Sequence, residues 1–132
     1  MRLVVAHDLM PHPRQVHNKA ALRIPRHRVT NKAVARTLDY LGNRDALALF
    51  FAVASKGQEK ILPRVRLRCD VTVWLTHNRL PDKDNLEKGV LDALVVAGII
   101  CDDRWIRAGE TIIHDGAAKG MVAVEISLLE KP

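Results

Sequence analysis

The sequence predicts an α/β or α+β fold in which a small mixed β-sheet is flanked by helices. Apolar and polar residues alternate along residues 64–75 and again along residues 121–129, as they do in half-buried strands. Between these two segments, the apolar residues of 86–97 recur at helical spacing. A length of 132 residues is typical of one domain. We therefore treat residues 1–132 as a single domain.

The N-terminal half predicts a strand, a basic segment and helical structure. Residues 2–6 form an apolar strand, and residues 8–30 contain three prolines without any periodicity, which indicates a loop or arm. Thr30 suits the N-cap of the helix that follows. That helical pattern continues to residue 55, and Gly42 leaves open whether it forms one long helix or two short ones.

The predicted core consists mainly of Val, Leu, Ile and Ala, because aromatic residues make up only 4% of the chain. The Phe50-Phe51 pair is assigned to this core, the alternative being that it forms part of a dimer face. Cys69 and Cys101 both lie in apolar, strand-like runs, so we expect both to be buried and reduced. Residues 105–114 predict a further strand, and the glycines of 115–120 predict a hairpin loop that leads into the last strand.

The helix of residues 86–97 has a sequence signal at each end. Asp84 suits the N-cap, and Glu87, three residues later, completes a capping box. Gly98 suits the left-handed position after the last turn. The apolar stripe predicted for this helix consists of Leu86, Val90, Leu91, Leu94, Val95 and Ala97.

Acidic residues gather around this helix. Asp82 and Asp84 lie at its start, and Asp102 and Asp103 follow it after residues 99–101, which we interpret as a short buried strand. If that strand returns beside the start of the helix, Asp82, Asp84 and Asp103 converge. Three adjacent carboxylates ionise together only with a cation between them. An all-oxygen site of this kind suits Mg²⁺ or Mn²⁺.

Asp84, Lys88 and Asp92 are spaced four residues apart, so they share one face of the predicted helix. Lys88 has two interpretations. It stabilises the charge that develops on a phosphate during hydrolysis, or it only forms a surface ion-pair ladder with the two aspartates. Each aspartate also has an ordinary explanation, as a helix cap or as a solvated side chain.

The charge distribution indicates a polyanionic partner. The formal net charge is +6, and the stretch between Asp8 and Asp39 contains seven basic residues and no acidic one. We expect this arm to contact DNA phosphates, the alternative being a solvated basic loop. Three arginines on one face of residues 64–75 are either a second phosphate-tracking stripe or a solvated face. The predicted DNA-binding residues are Arg14, Lys19, Arg23, Arg26, Arg28, Arg64, Arg66 and Arg68.

A longer motif runs without gaps through the acidic helix. It reads Asp82-x-Asp84-Asn85-x-x-Lys88-x-x-x-Asp92-Ala93-Leu94-x-x-Ala97-Gly98-x-x-x-Asp102-Asp103-x-x-Ile106. This run resembles the signature of the RusA family of Holliday-junction resolvases, and the resemblance covers roughly the C-terminal half. The N-terminal segment of residues 11–18 departs from the Pro-Pro-Ser-x-Asn-like pattern that the family often has there.

The resemblance implies a RusA-like fold and a small, homodimeric, magnesium-dependent endonuclease. By position, the metal-binding carboxylates of the family fall on Asp82, Asp84 and Asp103, and its functionally important lysine falls on Lys88. The motif also implies supporting roles for Asn85, Asp92 and Asp102.

The predicted function is resolution of four-way DNA junctions in recombination and repair, by paired phosphodiester cleavage. A junction offers two equivalent strands, so a two-fold symmetric dimer with two sites is expected. Two rival hypotheses are a non-catalytic architectural protein that binds junctions, and a nuclease that cuts flaps or other branched DNA. The sequence contains no apolar run long enough to span a bilayer, and a cytoplasmic location is the expectation. A small-molecule enzyme is disfavoured, because a glycine-rich phosphate loop and a nucleophile elbow are both absent.

Overall fold

A computed structural model describes residues 1–12, 31–79 and 81–129, without the side chains of 31–33. A five-stranded mixed sheet packs against two helices in this part of the chain, which confirms the predicted α+β fold. The elements in chain order are β1 Arg2–Ala6, α1 Asn31–Ala54, β2 Leu67–Trp74, α2 Lys83–Val96, a 3₁₀ turn Asp103–Trp105, β3 Ile106–Ala108, β4 Thr111–His114 and β5 Met121–Leu128.

Strand β2 is the centre of the sheet. It pairs antiparallel with β5 on one side and parallel with β3 and β4 on the other, and β1 pairs antiparallel with the far side of β5. The alternation predicted for this strand is confirmed, because Leu67, Cys69, Val71 and Val73 are buried while the residues between them are not. A strand with one buried face has its register fixed by that alternation.

The segment after α2 differs from the prediction in two ways. The single strand expected for residues 105–114 is divided into β3 and β4 at Gly109, whose φ is 141° and where a Cβ would collide with the carbonyl of Cys69. The hairpin expected at residues 115–120 is wrong. Strands β4 and β5 lie on opposite sides of β2, so this loop crosses the end of the central strand. Glycines mark a turn, but they do not determine which strands it joins.

The core lies between one face of the sheet and the two helices. Buried side chains of β1, β2 and β5 form one cluster with those of α1 and α2. The opposite face of the sheet is uncovered in the described chain and carries Arg2, Asp70, Thr72, Trp74 and Glu125 around a shallow pocket of about 150 Å³. The sheet therefore has one apolar face and one polar face, as an antiparallel-rich sheet covered on one side requires.

Helix α1 is one continuous helix through Gly42, which settles the alternative that the sequence left open. Phe51 is fully buried, as expected, whereas Phe50 is 43% exposed. Cys69 is buried, and its burial raises the pKa of the thiol to about 12. Cys101 is exposed, contrary to expectation, because the run of residues 99–101 is a bend and not a strand.

The C-terminal end of α2 confirms the role predicted for Gly98. Its φ is 74°, its N–H donates to Val95 O over 3.0 Å, and the N–H of Ile99 donates to Leu94 O over 3.0 Å. These two bonds are the Schellman arrangement, which satisfies the last carbonyls of a helix. The apolar stripe of α2 is also confirmed apart from Val95, which is 36% exposed.

The segment after β1 is fastened to both helices. The side chain of Asn43, on α1, accepts from Met10 N and donates to Asp8 O. The N–H of His12 donates to the carbonyl of Asn85, in the first turn of α2. His12 therefore lies beside the start of α2. Neither helix is long and apolar enough to cross a membrane, in the part of the chain that the structure covers.

Candidate active site

The start of α2 differs from its prediction in which aspartate caps it. Asp82, in extended conformation, accepts from Asp84 N at 2.9 Å and is the N-cap. Asp84 therefore lies within the first turn, where its carboxylate faces the positive end of the helix dipole. The expected capping box is wrong as well, since the Glu87 carboxylate accepts from the Thr111 hydroxyl on β4 over 3.0 Å.

A pocket of about 260 Å³ opens along the polar face of α2. It is lined by Asp84, Glu87, Lys88, Leu91 and Asp103. The structure thus brings together two of the three predicted metal-binding aspartates and the predicted lysine. Asp82 is not among the residues that line this pocket, because the cap lies at the end of the helix rather than on its face.

Glu87 is a pocket residue that the sequence interpretation missed, because it was assigned to the cap. Its signal was present in the sequence, since it lies three residues after Asp84 and therefore on the same side of the helix. The hydroxyl of Thr111 fixes the orientation of its carboxylate. Glu87 adds a third acid to this pocket.

A second pocket, of about 330 Å³, adjoins the first at Asp103. It is lined by Arg44, Asp92, Val95, Val96, Asp102 and Asp103. Arg44 comes from α1, and its guanidinium also bonds Asp45. No local pattern in the sequence connects Arg44 with Asp103, because only the packing of α1 on α2 brings them to one cleft. We call the two pockets together the acidic cleft.

The turn after α2 gives its two aspartates different environments. Asp102 accepts from Arg104 N at 2.9 Å, and this backbone bond lowers its pKa. Partial burial raises the pKa of Asp103, and a hydrogen bond with Asp102 raises it further, while the charge of Lys88 acts in the opposite direction. Asp103 therefore holds its negative charge less readily than an ordinary carboxylate does.

Asp92 connects the polar face of α2 with side chains of neighbouring segments. One carboxylate oxygen, Oδ2, accepts from the Tyr40 hydroxyl over 2.8 Å and lies 3.9 Å from His12 Nε2. The other, Oδ1, lies 3.9 Å from Lys88 Nζ. Asp84, Lys88 and Asp92 are spaced along α2 as the sequence predicted. The contact between Lys88 and Asp92 is loose, however, because 3.9 Å exceeds hydrogen-bond distance.

The predicted DNA-contacting arginines of residues 64–75 have different surroundings. Arg64, with a φ of 59°, and Arg66 are exposed and precede β2. Arg68 is on β2 and forms two hydrogen bonds with Asp70, of 3.0 and 3.1 Å. The other predicted contacts, Arg14, Lys19, Arg23, Arg26 and Arg28, lie outside the described residues, as does the Thr30 cap.

The donor chemistry of the acidic cleft fits a hard cation. Among the described residues, no three His, Cys, Asp or Glu side chains are arranged closely enough to hold a metal ion by themselves. Mg²⁺ does not need such an arrangement, because it usually retains several waters and binds one or two carboxylates together with substrate phosphates. Asp84 and Asp103 could supply oxygen ligands of that kind, and a cation beside Asp103 would stabilise the ionised form that partial burial disfavours.

Comparison with protein families gives one finding. The model of a family described as endodeoxyribonuclease RusA matches residues 24–127, which is most of the chain and includes α1, the whole of the acidic cleft and all but the last residue of β5. The match begins well before the C-terminal half in which the motif lies. No curated protein matches this chain.

Proposed function

Because the chain belongs to the RusA family of endodeoxyribonucleases, we propose that it resolves Holliday junctions by paired cleavage of four-way DNA, with a divalent cation as cofactor. The single observation that carries this proposal is the pocket in which Asp84, Asp103 and Lys88 meet. Carboxylates and a lysine in one open cleft are suited to a phosphodiester, whose negative charge needs cations on more than one side.

Asp84 and Asp103 are the proposed ligands of Mg²⁺, or of Mn²⁺ in its place, and Asp82 is the third. Asp82 remains in the set although it caps the helix, since each carboxylate oxygen has two lone pairs and can accept a hydrogen bond and bind a cation at the same time. When bound, the cation supplies neutralisation of charge at the scissile phosphate and an activated water. Asp102 supports Asp103 through their shared turn.

Lys88 is the proposed cationic side chain of the reaction. Its side chain is 49% exposed and lines the same pocket as Asp84 and Asp103. A lysine at this position donates to phosphate oxygens as charge develops on them, which is the role of a preorganised cation in phosphoryl transfer. The looseness of its contact with Asp92 supports this role, because a lysine closely paired with an aspartate would be less available to a phosphate.

The remaining basic residues are proposed to hold the DNA arms. Arg64 and Arg66 are exposed ahead of β2, and His12, within the predicted arm of residues 8–30, lies beside the start of α2. Phosphate contacts of this type supply affinity without sequence preference. Arg68 is the weakest of the predicted contacts, because its guanidinium is bound to Asp70.

A homodimer with two acidic clefts is part of the proposal. Paired nicks across a four-way junction need two sites on one assembly, and a two-fold axis relates the two strands that are cut. Sedimentation at micromolar protein should therefore give the mass of two chains. A single-chain mass in a preparation that still makes paired nicks would overturn the dimer.

The experiment that tests the function compares a synthetic four-way junction, a flap and a linear duplex, each with Mg²⁺ or EDTA. We expect the wild type to make paired nicks in the junction only with Mg²⁺, and Asp84→Asn to bind the junction without cutting it. Equal cutting of the flap would assign the protein to a broader branched-DNA nuclease. Junction binding without cutting in either Mg²⁺ or Mn²⁺ would leave an architectural role.

A further inference from the structure

Two side-chain contacts lead from the buried Tyr40 through Asp92 to the exposed Lys88. We infer that Tyr40 and Asp92 are positioning residues: the Tyr40 hydroxyl fixes the Asp92 carboxylate, and this carboxylate directs the Lys88 ammonium towards the pocket of Asp84 and Asp103. The inference rests on the proposed role of Lys88 in cleavage. It adds a residue of α1, far from the acidic motif in sequence, to the machinery of that reaction.

The first step of the connection is rigid. Tyr40 is 2% exposed, and its ring meets the ring of His12 edge to face at a centroid distance of 4.9 Å. Its hydroxyl donates to Asp92 Oδ2 over 2.8 Å, a short bond to a charged acceptor. Burial raises the pKa of Tyr40 above its ordinary value, and the bond to Asp92 raises it further, so the phenol remains a donor.

The second step, from Asp92 to Lys88, is a longer contact that orients the lysine without a hydrogen bond. Asp92 Oδ1 lies 3.9 Å from Lys88 Nζ, one helical turn away, and Asp92 is only 26% exposed. A free surface lysine samples many rotamers, and an ordinary pair at this spacing restrains it weakly, because both side chains lose entropy when they meet. Here the carboxylate is already immobilised by Tyr40, so only the lysine has to be ordered.

The third step places Lys88 at the pocket of the proposed metal ligands. Lys88 lines the pocket of Asp84 and Asp103, while Asp92 lines the adjoining pocket, and Asp103 borders both. Lys88 and Asp92 therefore both lie near the Asp103 carboxylate, each as a lining residue of one of the two pockets that Asp103 borders. Rotation of Lys88 away from Asp92 would therefore change the field at the reacting centre as well as the position of the ammonium.

The test uses Tyr40→Phe, which removes the hydroxyl and keeps the buried ring. The matched control is Leu47→Met, a volume-conserving change at a fully buried position of the same helix that lies outside the acidic cleft. Two quantities are measured in both variants. One is the single-turnover rate of junction cleavage, with junction binding in Ca²⁺ as a check. The other is the order parameter of the Lys88 Cε methylene, from ¹³C relaxation of lysine-labelled protein assigned with Lys88→Arg.

We expect Tyr40→Phe to lower the cleavage rate about tenfold, to leave junction binding unchanged and to lower the Lys88 order parameter. Leu47→Met should change neither quantity. In an Asp92→Asn background, Tyr40→Phe should cause no further loss, since the connection is already broken. Losses that multiply in the double variant, or an unchanged order parameter in Tyr40→Phe, would overturn the inference.

The two readouts separate this inference from the proposed function. If the wild type cuts no branched DNA, the proposed function fails, and the order parameter alone still decides whether Tyr40 restrains Lys88. If the wild type cuts and Tyr40→Phe cuts equally well, the function stands and the positioning role is wrong.

Discussion

Two acidic regions of the molecule differ in how their negative charge is compensated. On the uncovered face of the sheet, Asp70 receives two hydrogen bonds from Arg68 and one from the N–H of Glu110, at 3.0 to 3.1 Å. The bond from Arg68 lowers the pKa of Asp70. In the acidic cleft, burial raises the pKa of Asp103, and Lys88 only partly opposes that effect.

The difference separates a structural acid from one available to a ligand. Asp70 already has a cationic partner and hydrogen-bond donors within the fold. Its charge therefore stabilises the folded state, and it is a poor ligand for a metal ion. Asp103 shares its turn with a second carboxylate and faces Asp84 and Glu87 across an open pocket. Such a carboxylate binds a cation favourably, because the cation compensates a negative charge that the fold itself compensates only in part.

The largest expected effect is on metal-dependent stability and activity. Asp103→Asn should abolish junction cleavage and remove most of the stabilisation that Mg²⁺ gives the wild type. That stabilisation is about 2.7 kcal/mol when free metal is a hundredfold above its Kd. Without metal, Asp103→Asn should be at least as stable as the wild type at pH 7, because a raised pKa means that the ionised form opposes folding.

Thermal unfolding with and without Mg²⁺ makes this measurement, with Asp70→Asn as the matched control. The control removes one exposed carboxylate from the same sheet-and-helix scaffold and should keep the full response to Mg²⁺. Equal metal stabilisation in both variants would remove the distinction between the two regions.

Smaller effects are expected from substitution of Lys88, the cationic side chain of the acidic cleft. Lys88→Ala should reduce cleavage by about 10²-fold or more, the usual cost of losing a preorganised donor. It should change the free energy of unfolding by only a few tenths of a kcal/mol, since a loose surface pair contributes little. Lys83→Ala is its control, an exposed lysine in the first turn of the same helix that does not line the pocket. Junction cleavage and urea unfolding of the two variants give the comparison, and loss of cleavage in both would point to net charge instead of position.

Features controlled by neighbouring residues were predictable from the sequence. Alternation identified β2, and Gly98 identified the end of α2, because each depends on contacts within a few residues. The cap of α2 was less predictable. Asp82 and Asp84 have the same side chain, and the cap is decided by where the backbone turns into the helix.

The components of the cleft that come from outside the motif had no local signal. Arg44 lines the cleft, and Tyr40 bonds the cleft residue Asp92, only because α1 packs on α2. A packing contact between distant segments leaves no trace in the spacing of residues. The hairpin at 115–120 failed for the same reason, since pairing of both β4 and β5 with β2 is a property of the whole sheet. Asp84, Lys88 and Asp103 were predicted together because one helix and one short return connect them.

The smallest expected effect belongs to Asp70, and its dependence on pH sharpens the comparison. Because its folded-state pKa is lowered, the ionised Asp70 contributes stability above the unfolded pKa of about 3.9, and the contribution disappears as pH falls through the folded value. Asp70→Asn should cost about 0.2 to 1 kcal/mol at pH 7, the range for a solvent-screened pair, and less at pH 2. Asp103→Asn has the opposite sign, so any gain it gives at pH 7 should also vanish in acid. Urea unfolding of both variants at the two pH values measures this, and a cost at Asp70 that does not change with pH would mean that its hydrogen bonds, rather than its charge, stabilise the sheet.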